Sequence, residues 1–541
     1  MSKKGRRLRR ALAILVSSLV PLVPCALVSL VSRDAAAARD PVIANPDSAL
    51  AIALAGIAGA PLSLEEAQRL AIDRSTDLGQ ARAARVAAEG AARRESGKFD
   101  PELFAEVSHT QEDASSASPF AGADLLRTKT TLGLAGARMQ LPLGTRLEAA
   151  MTTTRLRTNS GFAALDPEYD AFGSLSITQP LLQGFGAGTR APLAAAQIGE
   201  QAARSREDEA TRAVQADVQI AYWDLYAAER DYAVQKLIVG QAEALLEETR
   251  TRAGAGLVGP SEVANARVFL AEQRQAQLDR EEDLDRLSDR MARLIGSRPQ
   301  GQEGRFRPTD EPPSRFPIAG ADSLVRVAIE RNEGLQAMRE DVVATRTLAR
   351  GAAWNALPAL DLVASVGGNG LSGTPRSVIF GSDTLRTSIS GSASDAWSDV
   401  FGRDNPTWSV GLRMSVPIGS REGRGERDRL RAEQERARWA VEDASRRLAD
   451  QVRETHRELV NASRRLEAAR DGVDAAQEQV RIGMIEYRNG RTTAFELVRL
   501  GADVASAQRR YSQALVRAAQ AAAKLSLLTS GGYPGETGGS R

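Results

Sequence analysis

The sequence predicts an α+β chain built twice on one plan: helix, strand, strand, long helix, helix. Three observations predict it. Short residue groups recur in the same order in the two halves. Apolar positions spaced three and four apart run far beyond the length of an ordinary globular helix. Alternating strands marked by proline stand just before those runs.

The repeat comes first because it sets the domain plan. Ala71-Ile72-Asp73-Arg74 with Leu78 matches Ala328-Ile329-Glu330-Arg331 with Leu335, and Pro101 and Leu103 match Pro358 and Leu360. Thr178-Gln179-Pro180-Leu181 resembles Ser415-Val416-Pro417-Ile418. Val218, Leu225, Gly256 and Glu262 match Val452, Leu459, Gly490 and Glu496. The offset shrinks from 257 (328 − 71) through 237 (417 − 180) to 234 (490 − 256) while the order holds. A duplication with unequal loops behaves in this way. The expected division is a first repeat at 62–296, a Pro-rich linker at 297–321, and a second repeat at 322–530. A 39–61 extension precedes the repeats, and a disordered Gly-rich tail at 531–541 follows them.

Each repeat opens with a helix expected over 62–97 or 322–356. The long helices carry the clearest periodicity. In the second half the seam runs through Ala437, Val441, Ala444, Leu448, Val452, Thr455 and Leu459 and on to Val480. In the first half Val214, Val218, Ala221, Leu225, Ala228 and Tyr232 begin the same pattern. Such a seam is that of a coiled coil. A helix of about 68 residues reaches roughly 100 Å, close to two shorter helices stacked end to end.

The strands have period two. Trp408, Val410, Leu412, Met414, Val416 and Ile418 alternate with Ser409, Gly411, Arg413 and Ser415. Leu175 and Ile177 alternate with Ser174, Ser176 and Thr178. One apolar and one polar face fits a transmembrane barrel strand or a half-buried strand of a soluble sheet. The second needs an apolar partner layer, which the chain lacks. Residues 367–407, rich in Gly, Ser and Asp, read as an exposed loop. The alternating material at 128–141 and 145–157, with a turn at 142–144, either adds barrel strands or forms a separate hairpin.

Bulk properties set the remaining bounds. Aromatic residues make up 4% of the chain, and the mean hydropathy of −0.30 excludes a polytopic helical membrane protein. Lys3, Lys4, Arg6, Arg7, Arg9 and Arg10 precede an apolar run from 11 to 31, and the small residues 35–38 follow, so residues 1–38 read as a secretory signal peptide. Its removal takes away the only cysteine, Cys25, and lowers the formal charge from +2 to about −4 (2 − 7 + 1). Nucleic-acid binding gains no support, and a thiolate metal site is excluded. His109 and His456 fall in different elements and make no metal or acid–base pair. No catalytic constellation, cofactor motif or metal site stands out, so no enzyme is expected.

With these features in hand, the chain resembles the TolC-like outer-membrane efflux proteins. The resemblance runs from about Leu62 to Leu528. It rests on Leu64-Glu65-Glu66-Ala67 with Ala71, on Gln179-Pro180-Leu181, and on the turns Gly256-Leu257-Val258 and Asn489-Gly490-Arg491-Thr492. It implies a homotrimer in which each protomer gives four strands to a twelve-stranded outer-membrane β-barrel, set on a long α-helical periplasmic barrel. It also implies export in concert with a periplasmic adaptor protein and an inner-membrane transporter, with outer-membrane lipid around the barrel.

Gly256, Leu257, Val258, Gly490, Arg491 and Thr492 would form the adaptor-contact tips, and Pro180 and Pro417 the strand-to-helix junctions. Glu262, Glu496, Arg499 and Tyr487 would line the periplasmic gate. Each gate residue also has a plainer reading. Thr493-x-x-Glu496 is a capping-box pattern, Glu262 is a first-turn acid after Pro260, and Tyr487 continues the seam. Arg499 stands where the family often has a second acid, and it can neutralise Glu496 across one helical turn. The alternative for the whole chain is a periplasmic adaptor, against which the duplication and the strands at Pro180 and Pro417 argue.

Overall fold

The computed structural model describes residues 46–533, apart from 116, 118–121, 300–303, 381–382 and 490. The expected signal peptide and the tail from 534 lie outside the described residues.

The chain opens with a helix that the sequence did not announce, α1 (Pro46–Ala55), which carries the buried Leu50. Strand β1 (Ala60–Leu62) then pairs in parallel with β6 (Phe306–Pro308) of the linker. The single helices expected at 62–97 and 322–356 are each broken once. The first is α2 (Leu64–Arg74) and α3 (Thr76–Ser96); the second is α6 (Ala321–Arg331) and α7 (Glu333–Asn355). Ser75 and Asn332 stand at the breaks in extended backbone, and their side chains accept from Leu78 N at 3.4 Å and Leu335 N at 2.9 Å. A capping residue stops one helix and starts the next, which periodicity alone does not detect.

The long helices α4 (Ala187–Gly254) and α9 (Arg421–Arg488) each have 68 residues. Each turns back into a shorter partner, α5 (Pro260–Ile295) or α10 (Ala494–Leu528). Nearer the strands the packing order is α3–α4–α7–α9, and nearer the turns it is α5–α4–α10–α9, so four helices stand abreast at either level. The residues matched by the duplication are the centre of this packing: Ala71, Leu78, Val218 and Leu225 in one cluster, Ala328, Leu335, Val452 and Leu459 in the other. All eight are 3% exposed or less. Burying a side chain of this kind contributes about 1.5–3 kcal/mol for the larger members.

Six strands form one antiparallel sheet: β2 (Glu102–Ser115), β3 (Leu125–Gln140), β4 (Arg146–Thr158), β5 (Leu165–Pro180), β7 (Ala359–Pro375) and β10 (Pro406–Ser415). Their order is β10-β7-β5-β4-β3-β2. The material at 128–157 therefore adds two strands to the same sheet, which has six in one chain where the resemblance implies four. The supposed loop at 367–407 is also corrected. It holds the outer half of β7, a hairpin of β8 (Val378–Phe380) and β9 (Asp383–Leu385), and helix α8 (Ala393–Gly402). Glycine and serine there serve close packing: a Cβ on Gly370 would collide with the Ala396 carbonyl of α8. At the start of the expected tail Tyr533 is buried, its hydroxyl donating to Pro317 O at 2.7 Å.

Candidate functional site: sheet wall, helix tips and gate acids

Register carries one face across all six strands. Trp408, Val366, Leu175, Ala149, Ala137 and Leu103 lie in one cross-strand row; Val410, Ala364, Ile177, Leu147 and Met139 lie in the next. On the opposite face the row Ser409, Ser365, Ser176, Glu148, Arg138 and Glu102 is wholly polar. Arg138 donates to both Glu102 oxygens at 2.8 Å. The apolar face is largely uncovered: Leu103, Val107, Trp408 and Leu412 are 69–83% exposed. Toward the loop end this face turns basic, with Lys129 opposite Arg157 and Arg155 over the Tyr169 ring at 5.9 Å. Helix α8 lies against this face at Gly173, Gly368 and Gly370, and Trp397 Nε1 donates to Thr153 Oγ1 at 2.9 Å. Among the described residues no helix is long and apolar enough to cross a membrane. A sheet of this kind is the remaining way to do so.

The junctions expected at Pro180 and Pro417 are where the structure turns strand into helix. Pro180 closes β5, and Leu181 N donates to Leu360 O at 2.7 Å, tying the first junction to the second repeat. Gly184 (φ +81°) and Gly186 (φ +49°) then bend the chain into α4. Pro417 follows β10, and Gly419 (φ +88°) and Ser420 (φ +47°) lead into α9. Both junctions line one 420 Å³ groove with Gly188, Asn355 and Gly351.

The two helix turns are built alike. At the first, Gly256 has φ +68° and Leu257 N donates to Arg252 O at 2.9 Å, six residues closing on the first. At the second, Arg491 N donates to Glu486 O at 2.8 Å in the corresponding place, while Gly490 lies outside the described residues. This bonding satisfies the last carbonyls of a helix and suits glycine at its left-handed position. Leu257 and Arg491 are exposed, whereas Val258 and Thr492 are half-buried.

The gate candidates divide. Glu496 N donates to Thr493 Oγ1 at 3.3 Å, which is half of the capping box. The other half is not formed among the described residues; the Glu496 carboxylate accepts from Arg499 Nη2 at 2.7 Å. Glu262 stands exposed in the first turn of α5, with no ion pair among the described residues. Tyr487 belongs to the last turn of α9, and its side chain lies outside the described residues. Gly501 approaches Gln241 closely, so α10 and α4 are neighbours near this end. Of the two histidines, His109 bonds Thr131 in the sheet and His456 donates to Ala319 O, far apart in the fold as their elements require.

Sequence reasoning missed a buried polar hub between the two levels of helices. Tyr222 Oη accepts from Thr309 N and Asp310 N at 3.0 Å each and donates to Leu62 O at 2.9 Å. Asp310 also accepts from Leu64 N at 2.6 Å, so one cluster ties α2, α4 and the linker. Burial raises the Tyr222 pKa to about 12. Two turns on, burial raises the Glu229 carboxyl to about 7, against the pull of Arg307, 3.6 Å away, and of Arg230. Asp231 is raised by burial too, although Gln513 donates to it at 3.1 Å. The signal was the aromatic run Tyr222-Trp223-x-Leu225-Tyr226 in a chain so poor in aromatics.

Comparison with known proteins extends this geometry. No curated protein matches the sequence. Residues 324–531 match the family model described as outer membrane efflux protein. The fold is similar to that of the outer-membrane channel OprN (16% identity, 87% of this chain and 90% of that one, TM-score 0.60). It is similar also to the CmeC outer-membrane channel of Campylobacter jejuni (12%, 87% and 86%, 0.59). The MtrE channel of Neisseria gonorrhoeae in its open state is a third (16%, 87% and 89%, 0.57). At these identities the likeness is one of fold. Residues 324–531 thus carry an outer membrane efflux protein domain, and the fold over both repeats is similar to that of these outer-membrane channels.

Proposed function

We infer that the chain is one protomer of a trimeric outer-membrane export channel. The observation that carries this is the two-faced sheet: an unbroken apolar face across six strands, joined directly to helices of 68 residues. In lipid the apolar face meets hydrocarbon and the polar face lines water. The basic residues Lys129, Arg155 and Arg157 suit the phosphate-bearing headgroups just beyond the apolar band. One chain cannot close a barrel, so further copies must supply the missing strands.

On this reading the helices extend into the periplasm. The tips Gly256, Leu257, Val258, Gly490, Arg491 and Thr492 meet an adaptor coupled to an inner-membrane transporter, and Glu496, Arg499, Glu262 and Tyr487 stand at the constriction. Pro180 and Pro417 fix the angle at which strands enter helices. The adaptor alternative loses ground because an adaptor has no use for a six-stranded membrane wall.

Expression of the full chain tests the reading. The protein should fractionate with the outer membrane, require detergent for extraction, and give discrete conductance steps in planar bilayers. A detergent-free soluble monomer would refute it.

A further inference from the structure

We propose that three copies of this chain close an eighteen-stranded barrel, β2 of each protomer pairing with β10 of the next. The proposal rests on the trimeric channel reading and goes beyond it, because the resemblance implies twelve strands and a correspondingly narrower wall.

Strand direction permits this closure. Every neighbouring pair in the sheet is antiparallel, so across six strands the two edges, β2 and β10, run in opposite senses. Head-to-tail copies therefore place β2 antiparallel to the next β10, and the ring closes without a parallel pair. Each edge otherwise presents a row of unpaired N–H and C=O groups to the bilayer, which lipid does not tolerate. Exposure agrees with missing lateral neighbours. On the same apolar face the edge residues Leu103 and Trp408 are 83% and 77% exposed, while Leu175 and Val366 of the inner strands are 47% and 55%.

The β3–β4 hairpin belongs to the wall. Met139, Ala137 and Ala135 of β3 and Leu147, Ala149 and Met151 of β4 continue the apolar rows of their neighbours. Arg138 and Glu148 continue the polar row. A hairpin folded into the lumen as a plug would have no reason to keep that alternation in register with β2 and β5.

The widths also agree. Strands about 4.8 Å apart and tilted about 40° occupy about 6.3 Å of circumference each. Eighteen of them span about 113 Å and twelve about 75 Å. The helical levels hold four helices abreast per chain, hence twelve per trimer. At 8–10 Å between axes those span about 96–120 Å. An eighteen-stranded wall therefore continues the helical barrel at nearly constant width. The barrel end of such a channel does not restrict cargo, and size selection falls to the helix tips.

The test is to image the full-length protein in lipid nanodiscs by cryo-electron microscopy, with native mass spectrometry giving the copy number separately. Three copies with eighteen wall strands is the expected result. Three copies with twelve wall strands, and β3–β4 outside the wall, overturns the proposal and leaves the channel reading intact. Any other copy number overturns the trimer and the eighteen strands together. A functional arm uses a variant lacking 125–158, with a short Gly-Ser joint between β2 and β5. Polyethylene glycols added from the loop side should reach a smaller size limit in that variant than in the full chain; an unchanged limit counts against the hairpin as wall.

Discussion

Arg499 donates to Glu496 at 2.7 Å one turn into α10, so the acid proposed for the gate carries its own counter-ion. The contact is exposed and screened, and Arg499 can leave it when a stronger partner arrives. Removing the arginine separates a charged ring from a neutralised one. In planar bilayers Arg499→Ala should raise cation selectivity and Glu496→Gln should lower it, both with the trimer intact. Glu262→Gln should act in the same direction as Glu496→Gln, but less. Unaltered reversal potentials in all three would remove these residues from the conduction path.

Glu229 makes stability depend on pH. Its ordinary pKa of 4.5 is raised to about 7 by burial in the folded chain. Between those values the native state holds a proton that the unfolded state has lost, so stability falls as pH rises from 4.5 to 7 and then levels. Glu229→Gln should therefore gain about 1–3 kcal/mol at pH 8 and nothing at pH 4.5. Thermal unfolding at the two pH values checks this; an equal effect at both would point to packing.

Tyr222→Phe tests the hub. The change keeps the ring in place but leaves the Asp310 amide without its acceptor, while Thr309 N keeps Leu62 O at 3.1 Å. The expected loss is about 1–3 kcal/mol. Tyr226→Phe is a suitable control, since the Tyr226 ring meets Arg230 by its face at 4.6 Å and should retain that contact.

Gly256→Ala places a Cβ at φ +68° and should cost the first tip about 1 kcal/mol. The effect should stay local. Hydrogen exchange should quicken over 251–262 while the melting of the whole protein moves little. A matching drop in global stability would mean that the tip is part of the main core.

Much of the fold was legible because the duplication preserves what is buried. Ala71 with Ala328, Leu78 with Leu335, Val218 with Val452 and Leu225 with Leu459 are matched in sequence and enclosed in structure. The breaks at Ser75 and Asn332 were less legible, since one capping side chain interrupts a helix without disturbing the apolar pattern. The six-strand count needed the sheet itself: the alternation at 128–157 fits a wall strand and a free hairpin equally, and only register to β2 and β5 decides. Helix α8 was hidden in a stretch whose Gly and Ser content reads as loop. At the tips, the left-handed Gly256 and the Thr493 cap followed from residue type, whereas the other half of the expected capping box is not formed among the described residues.

The two bare edges of the sheet also bear on how the molecule is made. A lone subunit holds Leu103, Val107, Trp408 and Val410 in water and has nowhere to seat β2 or β10. Insertion and association must then be one event, with a rate that rises steeply with the concentration of waiting subunits. Until that event each newly exported chain is an aggregation hazard and calls for a holding chaperone. Dilute refolding into liposomes should accordingly stall at a helical, unassembled species, and adding subunits, not time, should release it.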